Sequence, residues 1–153
     1  MYRRSLYTFW KRTSPPPVMV TFDAPSRENC TVRRPRTNTP LQALALMNDR
    51  QYVEASRQLA DRMLSHPDAT EAGRLAFGFR LVTARTPQAT ESQVLQQVLA
   101  KQRERYVPDK PSAEKLLAYS DSPRTSQHDP AEHAAWTMLA NLLLNLDEAI
   151  TKE

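Results

Sequence analysis

The 153 residues are enough for one ordinary domain with a real hydrophobic core and leave no room for a second full one. Although 40% of the residues are apolar, the wholly apolar runs are only a few residues long, far short of the roughly 20 needed to cross a bilayer. The net charge of +4 is unevenly placed: residues 1–40 carry eight basic side chains against Asp23 and Glu28, about +6, while the other 113 carry 13 against 15, about −2.

In one reading the basic arm lies against acidic groups of the remaining chain or of a neighbouring domain; in the other it receives a polyanion. The first is the plainer. The basic residues are scattered over proline-broken segments and match no recognition-helix, RNP or zinc-finger pattern, which disfavours nucleic acid. One cysteine sets no constraint on redox compartment. The N-terminal "MYRRSLYTFWKRTSPPP" has basic residues on both sides of an aromatic run and no small-residue cleavage site, so by itself it predicts no export.

Twelve prolines against two glycines predict stiff connections. Residues 2–12 read either as a helix with Leu6, Phe9 and Trp10 on one face or as an extended "LYTFW" strand, with helix the preferred assignment. "SPPPV" (14–18) is expected to form a polyproline spacer. "VMVTF" (18–22) is the one β-like run, and with no partner strand in sight it is expected to be an extended segment packed on helices. The stretch "SRENCTVRRPRTNTPLQALALMND" (26–49) then runs from an arginine-rich loop around Cys30 into a helix. Thr39 is placed to cap that helix, with Pro40 at its first position and Gln42 bonding back to the cap.

Asn48 or Asp49 is expected to end that helix and cap a second with Tyr52, Ser56, Leu59, Ala60 and Met63 on its inner face. Asp68 and Glu71 have capping-box spacing ahead of a third, whose inner face is Leu75, Ala76, Phe79 and Val82. Gly73 and Gly78 inside it mark either close helix approach or tolerance. A long fourth helix is predicted from Thr86-Pro87 to about Val107, with Val94, Leu95, Val98 and Leu99 as core and "KQRER" as a solvated end. Residues 108–129 form a polar connection around one short helix capped by Ser112 and anchored by Leu116 and Leu117. Asp129-Pro130-Ala131-Glu132 opens a final helix through Trp136, Leu139, Ala140, Leu143, Leu146 and Ile150. The fold class is therefore all-α, an irregular bundle of about five to six helices with an extended Pro-rich N-terminal arm. The arm and Arg-Cys-Arg loop occupy residues 1–38 and the helical body 39–153.

Chemical motifs are mostly excluded. Two glycines five residues apart build neither a P-loop nor a dinucleotide fingerprint, and there is no CxxC, CxxCH or HExxH. His128 and His133 flank "DPAE" and have the types for a metal site with Asp129 and Glu132, but the helix cap already explains both carboxylates and leaves the histidines on the surface. No catalytic, cofactor-binding or metal-binding residue is assigned. Cys30 beside Arg27, Arg33 and Arg34 is either a structural thiol or an activated thiolate, and no spacing supports a catalytic base. Asp147-Glu148 reads as solvated helix surface. The residues left as an interaction loop are Arg27, Cys30, Arg33, Arg34 and Arg36, and those left as an aromatic contact are Tyr7, Phe9 and Trp10.

"RRSLYTFWKRTSPPPVMVTFDAPSRENCTVRRPRTNTPLQALALMND" (3–49), "EAGRLAFGFRLVTARTP" (71–87) and "AAWTMLANLLLNLDEAITKE" (134–153) resemble the C-terminal domain of large planctomycete-type proteins classed as domain of unknown function 1553. The resemblance implies a parent with an exported N-terminal cytochrome c-like module carrying haem c, a second domain, and the present domain at its end. It thus implies an exported or periplasmic setting, linked to electron transfer or polysaccharide breakdown, with this chain a C-terminal fragment that packs on upstream domains. It carries no catalytic residues across. Two other functions stay open: part of an active site completed by an upstream domain, and a polyanion-binding module.

Overall fold

Most helices begin where a proline removes, or a polar cap satisfies, one of the first free N–H groups, and they pack with their apolar sides inward. The computed structural model describes residues 7–150 apart from 12, 34, 36, 69, 125 and 126. Among the described residues there are eight helices and no strand: α1 (Pro17–Thr21), α2 (Pro40–Asn48), α3 (Arg50–Leu64), α4 (Glu71–Thr83), α5 (Ala89–Tyr106), α6 (Lys110–Ala118), α7 (Pro130–Leu144) and α8 (Asp147–Ile150). The fold is all-α. The chain divides into two compact units, Met1–Ala45 and Leu46–Glu153.

In the first unit α1 replaces the extended segment expected over 18–22. Pro17 sits in the first turn, and Thr21 Oγ1 donates back to the Pro17 carbonyl at 3.0 Å. A strand needs a partner to satisfy its backbone, whereas a helical turn satisfies its own, and that outweighs the β preference of Val18 and Val20. The preceding prolines fit the spacer reading, since Pro16 holds φ −58 and ψ 124, and the helix starts immediately after it. The helix preferred for residues 2–12 does not continue through residues 8–10, which are irregular after a 3₁₀ position at Tyr7; the rest of that segment lies mostly outside the described residues.

The second unit is organised around α7, whose buried residues include His133, Ala134, Ala135, Trp136, Thr137, Leu139, Ala140, Asn141 and Leu143. α3, α5 and α6 each pack on it, so it is covered on more than one side. The main core joins Trp136, Leu139 and Leu143 to Met63, Leu75, Phe79, Leu95 and Leu99, and a smaller one joins Ala131 and Ala134 to Tyr106, Ala113 and Leu117. Gly78 marks close approach of α3 and α4: a Cβ there would stand 2.3 Å from the terminal methyl of Met63, which is fully buried. Gly73 leaves room for a different neighbour, the Asp68 carboxylate.

Several helix boundaries follow the local signals. Thr39 N–H donates to Gln42 Oε1 at 3.1 Å while Gln42 N–H donates to Thr39 Oγ1 at 3.3 Å, and Asp49 accepts from Gln51 N–H at 2.9 Å. Asp129 accepts from the N–H groups of Ala131 and Glu132. Others shift by a residue or more. Thr70, not Asp68, caps α4, and Asp68 instead accepts from Thr70 N–H and Oγ1. Asp109, not Ser112, caps α6. α5 starts at Ala89, after Gln88 N–H is taken by Glu91 at 2.7 Å. The last helix stops at Leu144 and α8 follows separately. Val94, expected in the core, is 53% exposed, while Leu95 and Leu99 are buried.

Candidate functional site

In the first unit the Arg-Cys-Arg loop is closed at its base by one carboxylate and one amide. Asp23 Oδ2 accepts from Thr37 N–H at 2.9 Å and from Thr37 Oγ1 at 2.8 Å, joining residues 14 positions apart. The buried Gln42 amide donates to the Thr21 carbonyl at 2.8 Å and to Thr37 Oγ1 at 3.0 Å, so the end of α1, the loop and the start of α2 share one polar hub. This fastened loop presents Cys30 and Arg33 to solvent. Arg27, with φ 64, places its guanidinium 5.0 Å from the Trp10 ring centre, which brings one residue of the basic set onto one of the aromatic set. Tyr7 and Phe9 are exposed, and Arg34 and Arg36 lie outside the described residues.

The second unit holds polar groups that the sequence did not single out. Glu54 and Arg57, three residues apart on α3, are both buried. Arg57 donates from Nη1 to the Leu117 carbonyl at 3.0 Å, and from Nη2 to the Ser122 carbonyl at 3.0 Å and Ser122 Oγ at 2.7 Å. Glu54 Oε2 accepts from Asp121 N–H at 2.9 Å and from Ser122 N–H at 3.3 Å. One turn of α3 thereby holds the chain leaving α6 by both its donors and its acceptors. Above it opens a groove of about 590 Å³ lined by Arg57, Glu114, Leu117 and the segment Ser120–Arg124.

Two further arginines join helices. Arg103, expected on a solvated end, is bidentate to Glu132 at 2.9 and 2.5 Å and reaches Glu71 at 2.5 Å, while Glu132 also accepts from Trp136 Nε1 at 2.7 Å. Glu132 therefore pairs with Arg103 and Trp136 rather than returning to its own helix cap. Hydrogen bonding from Arg103 holds the Glu132 carboxyl below its ordinary range. Arg85 is shared between Glu91 and Glu148; the hydrogen bonds that Glu91 accepts from the Arg85 guanidinium and, secondarily, from Gln88 N–H hold its carboxyl down to about 2. Glu148, expected to be plain solvated surface, is thus one partner of this exposed cluster.

His133 corrects the expectation of surface histidines: it is fully buried, projecting from α7 towards Asp61 and Arg57 of α3. Its Nε2 lies 3.2 Å from Asp61 Oδ1, the Arg57 main chain accepts a hydrogen bond from the imidazole, and the ring is 6.2 Å from that of His128. Burial is the largest influence and pushes the imidazole below its ordinary value; nearby Arg124 and His128 act in the same direction, and Asp61 and the Arg57 carbonyl oppose it. An unfolded histidine titrates near about 6.5, so below that pH the unfolded chain takes up the proton more readily than the folded one. Stability should be level above neutrality and fall as pH drops below about 6.5, at a slope of at most about 1.4 kcal/mol per pH unit for this one proton. Thermal melts from pH 7.5 to 5.0 should show the loss, and His133→Gln should remove that part of the slope. The Glu91 contribution disappears in a separate, more acid window, from the ordinary carboxylate range down to about 2.

Among the described residues no group of three or more His, Cys, Asp or Glu side chains is placed to hold a metal ion, and no helix is long and apolar enough to cross a membrane. Asp129 is occupied as a cap and Glu132 by Arg103, so the four residues around "DPAE" do not converge. The class defined by these features is an all-α module with a fastened basic loop in one unit and a polar-lined groove in the other. The chain belongs to the family described as "Protein of unknown function (DUF1553)", whose profile matches residues 1–99. That match takes in the loop, α1 to α4 and most of α5. The groove's Glu114–Arg124 wall lies beyond it. No curated protein and no solved structure matches the chain.

Proposed function

We propose that this chain is a packing and interaction module of a larger exported protein that carries haem c on an upstream domain, of the planctomycete type, and that its own role is non-catalytic. The observation that carries this reading is the surface of the first unit: Tyr7 and Phe9 stand 85% and 82% exposed, and Val32 lies open in the same loop as Cys30 and Arg33. Large apolar and aromatic side chains grouped with arginines are the composition of a protein contact surface. The hub of Asp23, Thr37 and Gln42 supports the same reading, because a loop with a tied base loses less freedom when it docks. In this role Arg33, Arg34 and Arg36 meet carboxylates of the upstream domain.

The test is to capture the native polypeptide from its source with an antibody to this domain and record its intact mass and visible spectrum. A species much larger than 17.5 kDa with a c-type haem absorption is expected. A haem-free species of 17.5 kDa would sink the proposal.

A further inference from the structure

The helix α2, PLQALALMN, has no charged side chain in its 9 residues, and one face of it is open. Leu41, Leu44 and Met47 recur at every third position, which keeps them within about 120° of the helix circumference. They are 59%, 58% and 47% exposed, whereas Gln42 and Leu46 on the other side are buried. Single exposed leucines are ordinary, but three large apolar side chains aligned on an uncharged helix form a continuous stripe. The stripe begins beside the basic loop. Gln42 of α2 donates to Thr37 Oγ1 and Thr37 N–H donates to Asp23, so the polar hub holds the loop at the N-terminal end of α2. That loop presents Arg33 to solvent, residues 1–40 sum to about +6, and the helix N-terminus adds a partial positive charge.

We propose that the stripe of Leu41, Leu44 and Met47 seats an acidic amphipathic helix from the upstream part of the polypeptide. The apolar side of that helix lies along α2, and its carboxylates turn towards the basic loop at the N-terminal end. The upstream source rests on the reading of this chain as a module of a larger protein; the chemistry of the occupant rests on α2 and its surroundings. Paired helices bury such stripes against one another with their axes about 8–10 Å apart, using anchors spaced three or four residues apart. Charge then selects among apolar partners, because unlike potentials attract and like ones repel. A second copy fits less well, since it brings the same +6 arm and an α2 without acidic groups. A bilayer surface also fits less well: helices that lie in one carry Lys or Arg along their polar face, and α2 has neither.

Hydroxyl-radical footprinting compares the full 153-residue chain with the native polypeptide captured from its source. In the 153-residue chain Met47 should oxidise readily, with the fully buried Met63 as the protected reference. In the larger native species labelling of Met47, Leu41 and Leu44 should fall at least about fivefold, since oxidation follows exposure. Equal labelling of Met47 in both forms overturns the docking proposal and leaves a haem-bearing parent standing. A haem-free native species of 17.5 kDa instead overturns the parent reading, and with it the upstream source. The occupant's chemistry is tested on the 153-residue chain with labelled amphipathic peptides of about 18 residues, long enough to form a helix, one of leucine and glutamate and one of leucine and lysine. Vesicles of phosphatidylcholine and phosphatidylglycerol form the third arm. Saturable binding of the glutamate peptide is expected, with the lysine peptide at least about tenfold weaker. Leu44→Gln, neutral and at an exposed helical position, should weaken the glutamate peptide about tenfold, and Leu41→Gln gives the same readout if the first variant unfolds α2. Binding that both variants leave unchanged overturns the proposal, because it then reports the basic arm alone. A preference for the lysine peptide or for the vesicles overturns it too, as does a dimer of the chain that Leu44→Gln abolishes.

Discussion

Replacing Trp136 by alanine should cost about 3–5 kcal/mol, the cost of a large-to-small change where the surroundings cannot collapse into the space. Trp136 is 1% exposed and sits with Leu59, Met63, Leu75, Leu95, Leu99 and Leu139 where α3, α4 and α5 meet α7. Its Nε1 also donates to Glu132, the carboxylate that Arg103 holds from α5, so the indole links the core to the main interhelical ion pair. Trp136→Phe keeps most of the apolar body and loses the N–H and part of the bicyclic ring volume; about 1–2 kcal/mol is expected, since Glu132 remains paired with Arg103. Urea unfolding of the two variants separates the contributions. A Trp136→Ala cost below about 1 kcal/mol would mean that α7 is not the centre of the unit, because domains of this size have only about 5–15 kcal/mol of stability in total.

The second large effect is expected at Arg57. Arg57→Met retains the aliphatic stem and removes three hydrogen bonds to Leu117 and Ser122. Each bond to a charged group contributes about 1.5–3 kcal/mol when measured singly, and because the three share one group they do not add; a net loss of about 3 kcal/mol is expected. Hydrogen exchange should show a local signature, with the Asp121 and Ser122 amides losing protection before the main core does. Arg50→Gln provides the contrast. Its pair with Asp121 is more than half exposed on both sides, and its removal should leave the urea midpoint essentially unchanged. If both substitutions cost the same, the buried hub has been misassigned.

The helix starts were legible because a cap acts across two or three residues. Thr39 with Gln42, Asp49, and Asp129 with Pro130 all operate inside a stretch that can be read without knowing the fold. Where two caps competed within such a stretch, local spacing did not choose between them: Thr70 displaced Asp68 and Asp109 displaced Ser112. The interaction set was legible in part. Arg27 and Trp10 come together, whereas the spacing of Cys30 and Arg33 does not reveal that the loop's base is tied by Asp23 and Gln42.

All-α character follows from apolar side chains repeating every three or four residues after recognisable caps, a pattern that the helical segments between residues 39 and 150 display without reference to the rest. The burial of polar groups has no such local origin. Arg57 and Glu54 look like ordinary exposed helix charges until α6 and its following segment bring carbonyl and N–H groups from 60 or more positions away. His133 looks like a surface cap residue until α3 covers it, and Val94 looks like core until α5 turns Leu95 and Leu99 inward instead. A charged side chain enters a protein interior only when its partners are delivered there, and those partners come from distant parts of the chain. The groove, its two arginines and the buried histidine therefore exist only in the assembled helices.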